Sequence, residues 1–324
     1  MASPTNSLPT QRGDLADSFY EFDLENQNRQ YIGDQVFPVV EVSSQSGQFG
    51  ILPVEELLQD RAVERAPHSG YSRGDFTFDT VNYSTKELGC EAQVDDRENT
   101  MYSSFFSASM IATSRAFNAV MGQTERNVAD AVMNTSTWTG SALTSTADAS
   151  WLEKGTDVIG DVEKAARKIY DNSGLWPNTI VMSRKIFRAI RANTAIIDRS
   201  KGQDFQDVRA TTLNERAMAL IFDVDKVLVG GAARNSANEG AEASISSIWN
   251  DDRVMVCVTA NTPDFKEPCI GRQFHWSADG SDHAGVVEQY RDENVRSEIF
   301  RVRRDATEVI LYKEAGHLLT NCNP

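Results

Sequence analysis

The first 92 residues contain little that can pack on itself, and this constrains the chain more than any motif. Residues 1–35 are polar and broken (SPTNSLPTQRGD, then DLENQNRQYIGDQ). With few branched apolar side chains they build no core and read as an extended arm. Val36 to Val42 is a short β run, Ser43 to Gly47 is turn chemistry, and Gln48 to Pro53 is a second apolar run. Glu55 to Val63 suits a short helix, and RAVERAPHSGYSRGD follows, rich in Arg, Pro, Gly and Ser. Then comes alternation, with Phe76, Phe78, Thr80 and Asn82 on one face and Asp75, Thr77, Asp79 and Val81 on the other. A two-stranded ribbon resting on two or three aromatics is marginal in water. It must pack on something, and if that lies outside its own domain the ribbon is an intermolecular device.

Beyond the ribbon the periodicity changes. Residues 95–134 place Met101, Phe105, Ala108, Ile111 or Ala112, Ala116, Val120, Met121, Val128, Ala131 and Val132 at helical spacing. Asp95 and Asp96 suit its start and Glu98 its first turn, and Gly122 is a candidate kink. One unbroken helix of that length spans about 55 Å, the dimensions of a strut. Residues 135–150 read as a small-residue loop. Residues 156–260 read as α/β: helices at 156–170, 183–191 and 213–221, and strands at 179–182, 226–229 and 253–258. Strands are expected again at 269–276, 286–290, 297–303 and 308–312, with AGHLLTNCNP as a closing tail. A monomer gains little from two extended excursions before its first core, because partner contacts must offset their ordering entropy. A self-assembling subunit gains interlocking contacts.

Composition narrows the function. The net charge is −15, from 32 Lys and Arg against 47 Asp and Glu. That excludes a basic groove wrapped around nucleic acid, which needs cations concentrated on one face. Cys90, Cys257, Cys269 and Cys322 form no C-x-x-C pair, so neither a zinc ribbon nor a redox motif follows. No stretch is long and apolar enough to cross a membrane, and the N-terminus lacks the apolar core of a signal peptide. A cytosolic chain with free thiols is expected.

The best enzymatic signal is Leu220-Ile221-Phe222-Asp223-Val224-Asp225, which resembles the D-x-D start of haloacid-dehalogenase-type phosphohydrolases. There one carboxylate is nucleophile, the other acid/base, and magnesium sits alongside, with Asp251-Asp252 as further candidate ligands. That family carries the motif on its first strand with most of its core downstream. Here about 100 residues follow, and a helix–turn–strand boundary with solvated aspartates is the plainer reading. His275 and His283 flank Asp279 and Asp282 around a Ser/Gly turn, better read as a polar hairpin tip than as a metal site. No HExxH, GxSxG or phosphate-binding glycine loop is present. No catalytic residue, cofactor or metal is assigned, and no enzyme activity is expected. Arg61, Arg65 and Arg73 lie among Asp60, Glu64 and Asp75 on a loop with little core beneath it. We read Arg61, Arg65, Arg73, Asp75, Phe76 and Phe78 as contacts to a neighbouring subunit, where charged pairs set register.

The order of these parts resembles the major capsid proteins of tailed bacteriophages, the Hong Kong 97-like fold. The likeness runs from about residue 30 onward. It is sharpest in VFPVVEVSSQSGQFGILPVEELLQDRAVERAP, the FTFDT ribbon, VDDRE before the long helix, and WPNTIVMSRKIFRAI. The resemblance implies an α+β subunit with an N-terminal arm (1–45), an extended β-ribbon loop (46–92), a long spine helix and peripheral domain (93–149), an axial domain (150–262), and peripheral-domain strands with a C-terminal tail (263–324). It implies hexamers and pentamers closing into an icosahedral shell around double-stranded DNA in a virion assembled in the host cytoplasm. Portal and possible decoration proteins are implied partners; no membrane is. The founding member has a built-in charged helical scaffold segment; none is visible here, which implies a separate scaffolding protein. No Lys, Asn and Glu set is assignable to a covalent crosslink. Bacterial encapsulins, nanocompartment shells that share the fold, are the nearest alternative, and their shorter N-terminal arms favour the phage reading.

Overall fold

A computed structural model of the chain describes residues 10–11, 31–60, 64–65, 67–68, 70–71, 73–74, 77–102, 107–201, 213–238, 240–262, 267–278, 280 and 282–323. The N-terminal part supplies β1 (Thr10–Gln11), α1 (Gly33–Val36), β2 (Val39–Val42), β3 (Ser46–Ile51), α2 (Val54–Leu58), β4 (Asp79–Ser84) and β5 (Lys86–Asp95). The middle supplies α3 (Asp96–Tyr102), α4 (Ala108–Val132), β6 (Thr144–Thr146), α5 (Val158–Ser173), β7 (Thr179–Ser183), α6 (Arg184–Ile190), α7 (Thr194–Lys201), α8 (Glu215–Phe222) and β8 (Lys226–Gly230). A small hairpin, β9 (Ala233–Asn235) with β10 (Ile245–Ser247), precedes β11 (Val254–Cys257), β12 (Gly271–Trp276), β13 (Val286–Asp292), β14 (Ser297–Ile310) and β15 (Gly316–Thr320).

Two sheets organise these elements. The first runs β1-β13-β14-β12-β2, with β5 on the other side of β14; the second runs β6-β15-β11-β7-β8. The α/β part follows the sequence closely. β7 is buried at every position, as a strand covered on both faces must be. Asp157, Ser183 and Asn214 each accept a backbone N–H at the start of α5, α6 and α8. The presumed closing tail is instead the strand β15, paired between β11 and β6. The expected small-residue loop carries β6 and the fully buried Trp138, which belongs to the main core.

The strut is shorter than its pattern implied. α4 has 25 residues, a span of about 37 Å, and Ser107 before it has extended backbone. Residues 103–106, between α3 and α4 and including Phe105, lie outside the described residues. Gly122 is buried within the uninterrupted helix. Along α4, Ala112, Ala116, Phe117 and Val120 pack with Phe300 and Val302 of β14, whereas Val128, Ala129 and Val132 enter the α/β core. One helix thus joins both sheets.

The two strands expected at 297–303 and 308–312 are one strand of 14 residues, β14. Arg303-Arg304-Asp305 does not interrupt it because Arg304 points inward, fully buried, and donates to Gln273 Oε1 at 2.8 Å. β5 pairs with β14 from Lys86↔Ala306 to Asp95↔Ser297. Its inward residues are the modest Leu88, Cys90, Ala92 and Val94, which pack on α4.

Candidate assembly surfaces

The ribbon is built from β3 and β4, paired antiparallel from Ser46↔Ser84 to Ile51↔Asp79. Its inward face is Phe49, Ile51, Val81 and Tyr83, all packed on the cluster around Phe274 and Val309. Tyr83 stacks on Phe274 with centroids 4.9 Å apart, and Phe49 approaches the same ring at 6.1 Å. Two expectations change here. The root of the ribbon rests on its own chain, and the inward face is the other one: Thr80 and Asn82 are exposed. In a strand, moving the assignment by one residue exchanges every side chain between faces.

Past the root the ribbon is solvated. Phe78 is 70% exposed, Tyr71 75% and Leu58 61%. Arg65 Nη1 donates to Tyr71 Oη at 3.4 Å, and its guanidinium lies 4.6 Å from the Tyr71 ring centroid. Thr77 Oγ1 donates to Glu56 Oε1 at 2.8 Å, tying the returning strand to α2. Of the six residues read as intersubunit contacts, Arg65, Arg73 and Phe78 are exposed on this excursion; Arg61, Asp75 and Phe76 lie outside the described residues. Tyr71 and Leu58 are exposed on the same excursion and are not among those six. An aromatic in a Ser/Gly/Arg loop was the available signal for Tyr71.

A second exposed surface lies where α3 and α4 meet β5. A groove of about 210 Å³ is lined by Ala92, Val94, Ala108, Ile111 and Ala112, with Glu98 and Arg115 among its polar residues. Met101, Met110 and Ile111 are exposed large apolar side chains of the same helices.

The outer face of the sheet carries a charge ladder. Arg301 Nε donates to Glu91 Oε1 at 2.7 Å, Arg303 Nε to Glu288 Oε1 at 2.9 Å, and Tyr290 Oη to Glu91 Oε1 at 3.1 Å. Arg291 grips Asp96 through two hydrogen bonds of 3.0 and 2.7 Å, which hold the Asp96 carboxyl below its ordinary range.

Inside, Glu125 of α4 is a three-way junction. Oε1 accepts from Ile32 N at 2.9 Å and from Trp249 Nε1 at 2.6 Å, and Oε2 accepts from Gly33 N at 2.8 Å. Burial raises its carboxyl above the ordinary value, and the three donors oppose that rise. Next to it, Asp34 Oδ1 accepts from Gln273 Nε2 at 2.9 Å and lies 3.6 Å from Arg304 Nη2.

The enzymatic alternative finds no support. Asp223 is the residue after α8, in left-handed backbone (φ 56°, ψ 48°), and with Asp225 it is exposed and precedes β8. In the D-x-D hydrolases the first carboxylate projects from the far end of a strand. Asp252 Oδ1 instead accepts from Asn323 N at 3.1 Å, holding the C-terminal segment. His275 is buried in β12, His283 is exposed beside Asp282, and Asp279 lies outside the described residues. Among the described residues no group of His, Cys, Asp and Glu is placed to hold a metal ion, and no helix is long and apolar enough to cross a membrane.

No protein-family model matches the chain. It is 25% identical over 240 residues to the major capsid protein of Burkholderia phage BcepMu, covering 71% of this chain and 72% of that protein. Among solved structures it is similar to a phage-related protein from Bordetella bronchiseptica RB50, with a TM-score of 0.71, 22% identity, and 97% and 98% of the two chains covered. The capsid of Cyanophage P-SCSP1u gives a TM-score of 0.60 at 13% identity, over 89% and 87%. A virus-like particle from Pyrococcus furiosus gives 0.58 at 13% identity, over 94% and 97%. At these identities the solved structures speak for the fold.

Proposed function

We infer that the chain is a major capsid protein of the Hong Kong 97-like α+β fold, a structural subunit that joins copies of itself into a closed shell. What carries the reading is the ribbon, whose root is packed on Phe274 while Leu58, Tyr71 and Phe78 face solvent beyond it. An isolated subunit gains no stability from ordering such an excursion; a neighbour that covers it does.

In the assembled form, residues 1–45 act as arm and 46–92 as extended loop. α4 is the spine, residues 150–262 form the axial domain, and the strands from 263 onward form the peripheral domain, with β15 returning to the axial sheet. Arg61, Arg65, Arg73, Asp75, Phe76 and Phe78 contact the next subunit. The groove beside α4 suits them, since it offers apolar side chains with one charge of each sign, Glu98 and Arg115, to a ribbon that carries aromatics and mixed charges. Six- and five-fold clusters of subunits then close an icosahedral virion shell around double-stranded DNA, assembled in the host cytoplasm with a separate scaffolding protein, a portal and an optional decoration protein. The net charge of −15 suits a container, because an acidic shell does not adhere to the genome.

The test is electron microscopy of the protein produced with its scaffold. Capsomers or closed shells are expected. A monodisperse 35.9 kDa monomer at high concentration overturns the reading. DNA-filled particles bearing a portal separate a virion from a nanocompartment, which holds protein cargo.

A further inference from the structure

We infer that Glu125 is a positioning residue for assembly: it fixes where and in which direction the N-terminal segment leaves the long helix, and through that the geometry in which subunits join. The inference rests on the shell reading and adds a determinant that lies outside every contact surface. The carboxylate gathers donors 93 and 92 residues upstream and 124 residues downstream in the chain. Burying such a group carries the desolvation of a charge, and removing it would orphan three buried donors, so the site is committed to this one arrangement. Its distinctive property is directional. Two oxygens, one taking the Ile32 N–H and the other the Gly33 N–H, define one orientation of the segment relative to α4, where apolar contact would allow several.

Two further observations point the same way. A Cβ on Gly33 would lie 2.7 Å from Glu125 Oε2, so a larger residue there must move either the carboxylate or the segment. Gly33 has no positive φ, so it is close approach and not backbone shape that the glycine serves. One residue on, Asp34 is held by Gln273 of β12 and lies near Arg304 of β14. Residues 32–34 are therefore fastened at once to the long helix and to the sheet. Thirty residues precede Tyr31. The junction sets the direction in which the chain leaves Tyr31 toward β1, itself paired with β13, and in the shell reading this stretch belongs to the assembly arm.

The experiment compares wild type with Glu125→Gln, Gly33→Ala and Trp249→Phe. Each is produced with the scaffold, checked for folding by circular dichroism, and imaged well below its melting temperature. Glutamine keeps the size of the side chain but turns one acceptor into a donor facing an N–H. Alanine at Gly33 pushes the segment off the carboxylate without altering charge. In the free subunits both should speed amide exchange at Ile32 and Gly33 by about tenfold or more. Both should also replace the single wild-type particle class with mixed sizes, open sheets or tubes. Trp249→Phe removes the third donor and leaves both amide bonds, so it should lower the melting temperature while keeping the wild-type particle class. Uniform wild-type particles from Glu125→Gln or Gly33→Ala despite faster exchange overturn the inference, as does a Trp249→Phe defect equal to theirs. Should Glu125→Gln fail to fold, the contrast between Gly33→Ala and Trp249→Phe still decides. Failure of the wild type itself to form particles refutes the shell reading instead.

Discussion

Replacing residues 61–76 with a linker of about four Gly and Ser residues tests the division of the ribbon into a root that folds and an excursion that assembles. The substitution leaves Ile51↔Asp79 pairing, the Thr77–Glu56 hydrogen bond and the Tyr83–Phe274 stack in place. What it removes is exposed at every described position, including the Arg65–Tyr71 contact, worth about 0.5–1 kcal/mol at such a site. Shortening the connection roughly fourfold lowers its closure cost by about 1.2 kcal/mol. The two effects nearly cancel. Stability should change by no more than about 1 kcal/mol, a shift of about 1.5 °C in melting temperature for a chain of 324 residues. Assembly should be lost, since Arg61, Arg65, Arg73, Asp75 and Phe76 all go. Calorimetry of the free subunit and sedimentation of the scaffolded product give the two readouts. Loss of soluble folded protein would mean that this stretch belongs to the subunit's core. Shells of wild-type abundance would mean that the ribbon tip is not an assembly contact.

Phe274→Ala removes the ring on which Phe49 and Tyr83 rest and should cost about 3–5 kcal/mol, with Val81 and Tyr83 amides losing exchange protection first. Asp223→Gly relieves an L-residue in left-handed backbone and should raise stability by a few tenths to about 1 kcal/mol by denaturant titration. Asp223→Asn should leave phosphate-ester hydrolysis with magnesium at background; a wild-type activity that it abolishes would revive the hydrolase reading. Burial holds the Glu308 carboxyl above its ordinary value, so the folded chain keeps that proton where the unfolded chain has lost it. Stability from this group therefore falls as pH rises from the ordinary carboxylate range to the folded-state value. The melting temperature of Glu308→Gln relative to wild type should climb across that window, and a relative fall would contradict the assignment. Asp96 has the opposite sign: Arg291 holds it low, and its contribution is lost as pH falls through the folded-state value.

The α/β half was legible because its signals are local. Ser183 before Ile186 and Phe187, or Thr179-Ile-Val-Met, fixes a cap or a buried strand within a few residues. β5 was not, because Lys86-Glu-Leu-Gly-Cys-Glu-Ala-Gln-Val-Asp alternates between charge and small or modest apolar groups. Its strand character comes from β14, two hundred residues away. The ribbon's inward face was misread because Phe76 and Phe78 outweigh Val81 and Tyr83 in hydrophobicity, while the position of Phe274 decides the register. Glu125 left one trace, an acid on the apolar stripe between Met121 and Val128. What it binds comes from backbone amides and an indole that no spacing rule connects to it.

The continuity of β14 bears on how the subunit comes apart. Its first half contributes Phe300 and Val302 to the cluster under α4, and its second half contributes Val309 to the cluster under the ribbon. Ile310 at its end packs against the α/β core. None of the three clusters can melt alone without tearing hydrogen bonds that hold a neighbour, so the free subunit should lose its structure in one cooperative transition despite its extended plan. Partial unfolding, the usual source of sticky intermediates in large chains, is thereby suppressed during the interval between synthesis and capture by other copies.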